Sequence, residues 1–352
     1  MPTIPNNATI LVTGANGFVA MWVIDAVLKH GYSVHASVRT EARGQHLLKT
    51  FKSYGDKLKL VIIPDISAPG AFDEAVKGID AVLHTAAVSN SPAMDAMGGD
   101  FVINSAVQGN MGLLTSAQKY GSSIKRIVLT SSGVARTNFS TVHKLVDDDS
   151  WNDEVLEEYK KKGKDANNAV KYMTSKTLAE KRAWEWYDAN KAGLSWDLTT
   201  LSPPWIFAPV LYEINTYNDM GFSNQWLYKA LVLNEFTEGD SPLNYPAHGW
   251  VDARDVAELH VRALEVPAAG GEGIMLVAGE FVWQDAIDVA NALSPSPWPS
   301  HKQPFYKGLE GLKVHYLSWD TSKEKKIFGH KFKTLEETMT DILADYEKRG
   351  WA

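Results

Sequence analysis

The chain of 352 residues contains no cysteine. Disulfides, thiolate nucleophiles and zinc–thiolate sites are therefore excluded. The sequence also lacks an uninterrupted apolar stretch approaching the roughly 18 residues of a membrane-spanning helix. Its N-terminus lacks the basic and apolar segments of a signal peptide. These absences predict a soluble, cytoplasmic protein without a membrane partner.

The chain has no basic stripe that could follow a nucleic-acid backbone. Its net charge is -7, and the lysines of 160–164 follow Glu157 and Glu158, which is typical of a solvated helix end. We therefore expect no nucleic-acid partner. Hydrophobic residues make up 45% of the chain, enough for the core of one large domain or of a domain with an added lobe.

The first half of the chain alternates short β-branched runs with helical periods, which is typical of βαβ units around a parallel sheet. From about residue 205 the alternation becomes irregular, although 273–277 still resembles a strand. The pattern predicts helices over 18–30, 104–120 and 172–190, and strands over 9–13, 33–38, 58–63, 81–84, 126–131 and 196–201.

Two glycines stand between the first predicted strand and the first predicted helix. Gly14 permits a tight turn, and Gly17 lets the backbone approach a pyrophosphate, to which the helix N-terminus offers unpaired N–H groups. Such glycines also occur in ordinary strand-to-helix turns, but their position directly after the N-terminal strand favours a dinucleotide site. The contacts expected from this turn come from Gly14, Asn16, Gly17, Phe18 and Val19.

Two arginines follow the second predicted strand and bear on which dinucleotide is bound. An acidic residue at this place hydrogen-bonds the ribose 2′-hydroxyl of NAD, whereas an arginine accommodates the 2′-phosphate of NADP. Arg39 and Arg43 have only Glu41 as a nearby carboxylate, which favours NADPH. The alternative is a pair of surface arginines without a ligand.

The loops after the third and fourth predicted strands are further candidates for cofactor contacts. Asp65 and Ile66 could bracket the adenine, and Thr85, Ala86 and Ala87 could pass beneath the adenosine ribose. Both segments are equally consistent with plain loops.

Tyr172 and Lys176 form the most informative pair in the sequence. On a helix, side chains four residues apart lie one above the other on the same face. The phenol and the ammonium would then point at one spot, while Ser132 brings a hydroxyl from the end of the preceding strand. Such a group can deliver a proton to a carbonyl oxygen, and the charge of Lys176 should bring the pKa of the phenol closer to neutral pH. Taken alone, the Tyr–Lys spacing is a weak signal, because this spacing is more often just an amphipathic helix face; the other motifs of the chain strengthen it.

Other polar residues have structural interpretations. His84, His143 and His248 stand alone without a spaced partner, so we expect no metal site. In the segment 252–255, we expect Asp252, Arg254 and Asp255 to form an ion-pair and helix-capping network rather than a catalytic group.

Several local motifs together resemble the extended short-chain dehydrogenase/reductase superfamily. Within it, the chain is most similar to the group that contains plant dihydroflavonol reductases and fungal NADPH-dependent aldehyde and ketone reductases. The resemblance covers nearly the whole chain and rests on VTGANGFVA (12–20), SVR (37–39), PDIS (64–67), VLHTAA (82–87), RIVLTSS (126–132), YMTSKTLAEK (172–181) and WVDARDVAELHV (250–261).

The resemblance implies Ser132, Tyr172 and Lys176 as catalytic residues, with Lys176 and Tyr172 also touching the cofactor. It further implies that Pro203 contacts the nicotinamide, with Trp205 and Ile206 close by. Two departures from the family pattern leave the geometry of this loop open, since Ser202 replaces the usual Asn and Ala208 a usual Gly.

The resemblance implies a Rossmann α/β fold, a doubly wound parallel sheet with a smaller, mostly C-terminal lobe. Residues 1–204, continued by parts of 246–280, would bind NADP, and 205–245 with 281–352 would bind substrate. The pocket candidates are Val88, Val134, Trp205 and Trp226.

The implied activity is NADPH-dependent reduction of a hydrophobic or aromatic ketone or aldehyde by a monomer or homodimer. Two alternatives stay open. One is an NAD-dependent epimerase or hydroxysteroid dehydrogenase, although relatives of those kinds mostly carry an acidic residue at the position of Arg39. The other is a dinucleotide-sensing regulator without catalysis, although such proteins tend to lose the Tyr–Lys pair.

Overall fold

The structure is a computed structural model, and it describes residues 4–87, 99–138, 140, 142–233, 249–301, 305 and 313–351. Its strands are β1 (Thr9–Thr13), β2 (Ser33–Val38), β3 (Leu58–Ile62), β4 (Ala81–His84), β5 (Arg126–Thr130), β6 (Lys144–Val146), β7 (Asp197–Ser202), β8 (Trp205–Phe207), β9 (Gly249–Asp252), β10 (Gly273–Met275), β11 (Gly279–Glu280) and β12 (Leu317–Trp319). Its α-helices are α1 (Phe18–Lys29), α2 (Glu41–Thr50), α3 (Gly99–Tyr120), α4 (Asp153–Lys162), α5 (Asn168–Asn190), α6 (Phe222–Tyr228), α7 (Ala253–Glu265), α8 (Trp283–Ala292), α9 (Ser322–Ile327) and α10 (Leu335–Arg349).

Seven strands form one parallel sheet in the order β10-β7-β5-β4-β1-β2-β3. The chain moves outward from β1 through β2 to β3, then returns to the other side of β1 with β4. The carboxyl ends of β1 and β4 therefore flank the switch point, where open α/β sheets bind their ligands. The predicted α/β class with a doubly wound parallel sheet is confirmed.

Helices cover both faces of this sheet because its strands are apolar on both sides. In β1, Ile10 and Val12 pack into a core cluster with α1 and α7, whereas Leu11 points to the opposite face and packs with α3 and α5. Successive side chains of a strand alternate between faces, so one apolar run serves both layers.

The predicted boundaries differ from the observed ones at the starts of two helices, since α3 begins at Gly99 rather than near residue 104 and α5 begins before Tyr172. The sequence predicted a helix from Tyr172, but α5 begins at Asn168 because the side chain of Asn167 accepts a 2.9 Å hydrogen bond from the Val170 N–H. This cap satisfies a first-turn donor that would otherwise lack a partner. Tyr172 and Lys176 therefore lie inside the helix rather than at its frayed end.

A second core cluster lies in the last part of the chain. It joins β8, α6, α8 and α10 around buried aromatic residues, among them Phe207, Phe281, Trp283, Trp298 and Tyr346. The predicted division into a dinucleotide-binding domain and a substrate-binding lobe stays a prediction. Among the described residues, no helix is both long and apolar enough to cross a membrane.

Candidate active site

The turn after β1 has a backbone that only glycine accommodates. Gly14 has φ +64°, and a Cβ built there would lie 2.8 Å from the Cα of Ala86. Gly17 is the N-cap of α1 without a side-chain cap, and the first turn of α1 carries no acidic residue. A helix N-terminus of this kind offers N–H groups and a positive dipole end to an anion. The turn therefore fits the pyrophosphate of a dinucleotide.

The loop after β4 is bonded directly to this turn. The Ala86 N–H donates to the Thr13 hydroxyl over 3.1 Å, and the Thr85 hydroxyl donates to the Thr13 carbonyl over 2.5 Å. These bonds bring two of the predicted cofactor segments, 14–19 and 85–87, together at the switch point of the sheet. Ala87 is exposed there.

Not every residue predicted in the turn directs its side chain toward a cofactor. Phe18 makes an edge-to-face contact with Tyr212, with ring centroids 6.3 Å apart, and Val19 packs against the core. Any contact of these two residues with a dinucleotide would therefore come from their backbone. Asn16 is half-buried beside the glycines.

Arg39 and Arg43 are both exposed, at the end of β2 and in the first turn of α2. Thr40 separates them and caps α2 by accepting from the Arg43 N–H over 3.4 Å. Hydrogen bonds from Ser67 lower the pKa of Asp65, and the charge of Arg39 lowers it further. The arginines that follow β2 and the loop residue Asp65 that follows β3 therefore lie at the same edge of the sheet.

Asp65 and Ile66 have local partners. The Asp65 carboxylate accepts from the Ser67 N–H over 2.8 Å and from the Ser67 hydroxyl over 2.6 Å, so it caps a turn. Ile66 packs against α3, where a Cβ at Gly109 would lie 3.2 Å from its Cδ1.

The serine turn after β5 is held by the exit of β7. The Ser131 N–H donates to the Leu201 carbonyl and the Gly133 N–H donates to the Pro203 carbonyl, both over 2.8 Å. A Cβ at Gly133 would lie 3.1 Å from Pro204, so the two segments touch. The nicotinamide-side residue predicted at Pro203 thus lies directly beside Ser132.

Tyr172 and Lys176 face this serine turn from α5. Burial raises the pKa of the Tyr172 phenol, and a hydrogen bond with the Ser132 side chain lowers it in part. Burial lowers the pKa of Lys176 to about 8, against an opposing effect of the Glu180 carboxylate. The structure brings together the serine, tyrosine and lysine that were identified from the sequence.

Sequence reasoning missed Glu180, which lies one helical turn beyond Lys176. Its buried carboxylate accepts hydrogen bonds from the Ser131 hydroxyl, from the Arg136 guanidinium and, over 2.7 Å, from the Thr200 hydroxyl. The only signal in the sequence was its place in the run YMTSKTLAEK, on the same helix face as the Tyr–Lys pair.

Trp205 and Trp226 belong to one aromatic cluster. Trp205 stacks on Phe222 with centroids 5.5 Å apart and meets Trp283 edge-on at 5.0 Å, and Trp226 tilts against Phe222 at 5.3 Å. Trp205 is half-buried, as is Ile206, which packs against the core of the sheet.

The remaining pocket candidates are separate from this cluster. Val134 lies just after Ser132 and packs against residues of α4 and α5. Val88 lies outside the described residues, as does His248. Ser202, which replaces the family's Asn, is fully buried, and its hydroxyl has no hydrogen-bond partner within the described part of the chain.

The segment after β9 forms the expected structural network. Asp252 caps α7 by accepting from the Arg254 N–H over 2.8 Å, and the Arg254 guanidinium bridges Asp252 and Asp341. Asp255 accepts from the Lys333 N–H over 2.9 Å. These side chains therefore join α7 to α10 and the segment before it. In the described ranges, no group of histidine and acidic side chains could hold a metal ion.

The sequence model of the NAD dependent epimerase/dehydratase family matches residues 10–279. The chain therefore belongs to this family. It is 31% identical to the ketoreductase azaE of Aspergillus niger, over 95% of this chain and 96% of that protein. It is also 31% identical to the NADPH-dependent methylglyoxal reductase GRE2 of Saccharomyces cerevisiae, over 97% of this chain and 98% of that protein.

Among solved structures, the fold is similar to yeast methylglyoxal/isovaleraldehyde reductase Gre2 complexed with NADPH. The TM-score is 0.80 at 28% identity, covering 98% of this chain and 100% of that one.

Proposed function

We propose that this protein is an NADPH-dependent carbonyl reductase that converts a hydrophobic or aromatic ketone or aldehyde to the alcohol. The observation that carries the proposal is the position of the Tyr172 phenol beside the Ser132 side chain, with Lys176 one turn along α5. The two named reductases that the chain resembles over nearly their full lengths support the same activity.

In this proposal the cofactor supplies the hydride, and side chains of the protein stabilise and protonate the carbonyl oxygen. Tyr172 donates a proton to the carbonyl oxygen, and Ser132 hydrogen-bonds the same oxygen as negative charge develops. Because burial raises the pKa of Tyr172, the phenol keeps its proton until the reaction takes it.

The pKa of Tyr172 departs from one expectation of the sequence. We expected Lys176 to bring the phenol closer to neutral pH, but burial of the phenol raises its pKa instead. Burial also lowers the pKa of Lys176, to about 8, so its ammonium form is favoured only moderately at neutral pH. The charge of Lys176 near neutral pH is therefore the property of the site that is most sensitive to its surroundings.

NADPH is the proposed cofactor because Arg39 and Arg43 stand where an acidic residue would select NAD. The glycine turn, with its uncapped helix N-terminus, would hold the pyrophosphate. The loop 85–87 would lie along the adenosine, and Pro203 beside the nicotinamide.

An apolar substrate is proposed because half-buried Trp205 begins a strand that leaves the nicotinamide side of the site. Stacked indole and phenyl rings bury large apolar groups well. Residues 205–245 and 281–352 would form the substrate-binding lobe. The cytoplasmic location and the monomeric or homodimeric state stay predictions from the sequence.

The test is a substrate panel of aryl ketones, aryl aldehydes and small aliphatic aldehydes, offered with NADPH or NADH. We expect NADPH oxidation with equimolar alcohol formation, fastest with the apolar substrates. Oxidation with NADH alone, or interconversion of sugar nucleotides without net oxidation, would favour the epimerase alternative. Tight NADPH binding without turnover of any carbonyl would favour the regulator.

A further inference from the structure

Behind the proposed proton donor lies a buried charge cluster that the mechanism above does not use. Glu180 and Arg136 are 2% and 3% exposed and form an ion pair. Arg136 comes just after the serine turn and lies over the ring of Trp151, with the guanidinium carbon 4.4 Å from the centroid. The cluster therefore connects α5 to the catalytic serine turn.

A contribution to the stability of the fold does not by itself explain why a buried ion pair is present here. Removing two charges from water costs free energy that their attraction often fails to repay, and well-packed apolar residues frequently serve as well or better. The Glu180 carboxylate also accepts from Thr200 and Ser131, so it is held by β7 and by the turn after β5. Because the Glu180 carboxylate is held from three sides, its distance to a neighbouring charged group is fixed.

Lys176 lies beside it. Lys176 and Glu180 are separated by one helical turn and line one common cavity of about 20 Å³, together with Asn110, Thr130 and Ser131. A space of this size holds about one water molecule. Glu180 is buried and Lys176 is half-buried, so the two charges interact more strongly than they would in water.

The other ionisable groups around Lys176 do not replace this anion. His84 on β4 is buried, and its pKa is lowered by burial to about 3, so it carries no charge. Tyr172 is neutral, and Arg136 is a cation. Asp148, in the loop after β6, is an anion above its pKa of about 6, to which burial raises it, but its charge acts on Arg136, whereas Glu180 is the carboxylate that acts on Lys176.

We propose that Glu180 is a positioning residue for carbonyl reduction, whose carboxylate fixes the Ser131–Ser132 turn and keeps the Lys176 amine protonated, with Arg136 limiting the strength of that effect. This inference rests on the proposed reductase function. It makes the balance between Glu180 and Arg136, rather than either residue alone, set the pH range in which the enzyme works.

The test is the alkaline limb of the pH profile of kcat/KM for an aryl ketone that the wild-type protein reduces. Glu180→Gln removes the anion, so Lys176 and Tyr172 both lose protons more easily and the limb moves to lower pH by about one unit. Arg136→Gln leaves the anion less compensated, so the limb moves to higher pH. The double variant lies between the two single ones.

Two matched variants separate charge from structure. Thr200→Val removes one hydrogen bond to Glu180 without changing charge, and Glu180→Asp keeps the charge on a shorter side chain. In both, kcat and thermal stability fall while the limb stays within about 0.3 pH units of wild type, a small part of the one-unit shift expected for a full charge. Arg136→Gln still decides the question if Glu180→Gln does not fold.

Limbs that coincide in wild type, Glu180→Gln and Arg136→Gln would overturn the inference, as would shifts of both variants in the same direction. Failure of the proposed function would give a different result from failure of this inference. In that case the wild-type protein reduces no carbonyl with NADPH, whereas failure of this inference leaves an active wild type whose pH profile is insensitive to the buried pair.

Discussion

The Ser132 side chain lies beside the phenol of Tyr172, lowers its pKa in part, and so brings the end of β5 against the middle of α5. The serine turn is itself fixed by the carbonyls of Leu201 and Pro203. Two hydroxyl groups are therefore held at one point between three elements of the fold, which is the preorganisation that oxyanion stabilisation requires.

Gly14→Ala should disrupt both folding and cofactor binding. An alanine at φ +64° costs about 1–2 kcal/mol in the left-handed region, and its Cβ would also collide with Ala86. Gly31→Ala is the matched control because Gly31 has φ +90° but open space around the new Cβ. Denaturant unfolding and NADPH titration should find both losses in Gly14→Ala and only lower stability in Gly31→Ala. Equal stability losses with intact NADPH binding would contradict the close approach.

Arg39→Asp should change the preference between the two cofactors. Loss of a charge-assisted hydrogen bond to the 2′-phosphate should weaken NADPH binding by about 1.5–3 kcal/mol, and the new carboxylate should favour NADH in relative terms. Fluorescence titration with each cofactor measures this. Glu41→Gln, a nearby exposed change, is the control and should leave NADPH at least as tightly bound. An unchanged ratio of the two dissociation constants in Arg39→Asp would show that Arg39 does not contact the 2′-phosphate.

Trp205→Leu should lower kcat/KM for an aryl ketone about tenfold, an effect of ~1.4 kcal/mol on the transition state. The activity toward a small aliphatic aldehyde should change much less, because that substrate does not reach the stacked rings. Trp186→Leu is the control, since Trp186 stacks on Trp196 near the end of α5. A uniform loss with both substrates would mean that Trp205 supports the fold rather than the pocket.

Asp148 should make the protein less stable as pH rises toward neutrality. Burial raises the pKa of Asp148 from 3.8 to about 6, so the folded state binds its proton more tightly than the unfolded state does. The stabilisation is complete below pH 3.8 and is lost as pH rises to about 6.

Asp148→Asn removes this dependence and can keep the acceptor for the Met275 N–H. At pH 7 the variant should be more stable by about 1 kcal/mol, a value reduced for partial exposure. The difference should vanish near pH 4. Urea unfolding at both values measures it, and a variant that is less stable at pH 7 would contradict the sign.

Much of the sheet could be predicted because each strand has a local sequence pattern, a β-branched run bounded by turn residues. The strand Thr9–Thr13 and the glycine turn after it need no tertiary information. The start of α5 was missed because Asn167 was not recognised as a cap. Local signals thus place elements well and their ends less well.

The parts of the site that escaped prediction are made by contacts between distant residues. Arg136 and Glu180 meet only because β5 and α5 are neighbours in the fold, and no spacing in the sequence reveals their pairing. Two of the aromatic partners of Trp205, Phe222 and Trp283, come from separate helices. The pKa of Tyr172 was misjudged because burial, unlike proximity to Lys176, is not visible in a sequence.

The most direct test is single-turnover reduction of an aryl ketone by NADPH, compared between the wild-type protein and Tyr172→Phe. The variant keeps the ring and loses only the hydroxyl, so the rate of hydride transfer should fall by at least about 10²-fold, the usual contribution of a positioned proton donor. NADPH binding should be unchanged. A rate close to that of the wild-type protein would contradict the assignment of Tyr172 as the proton donor.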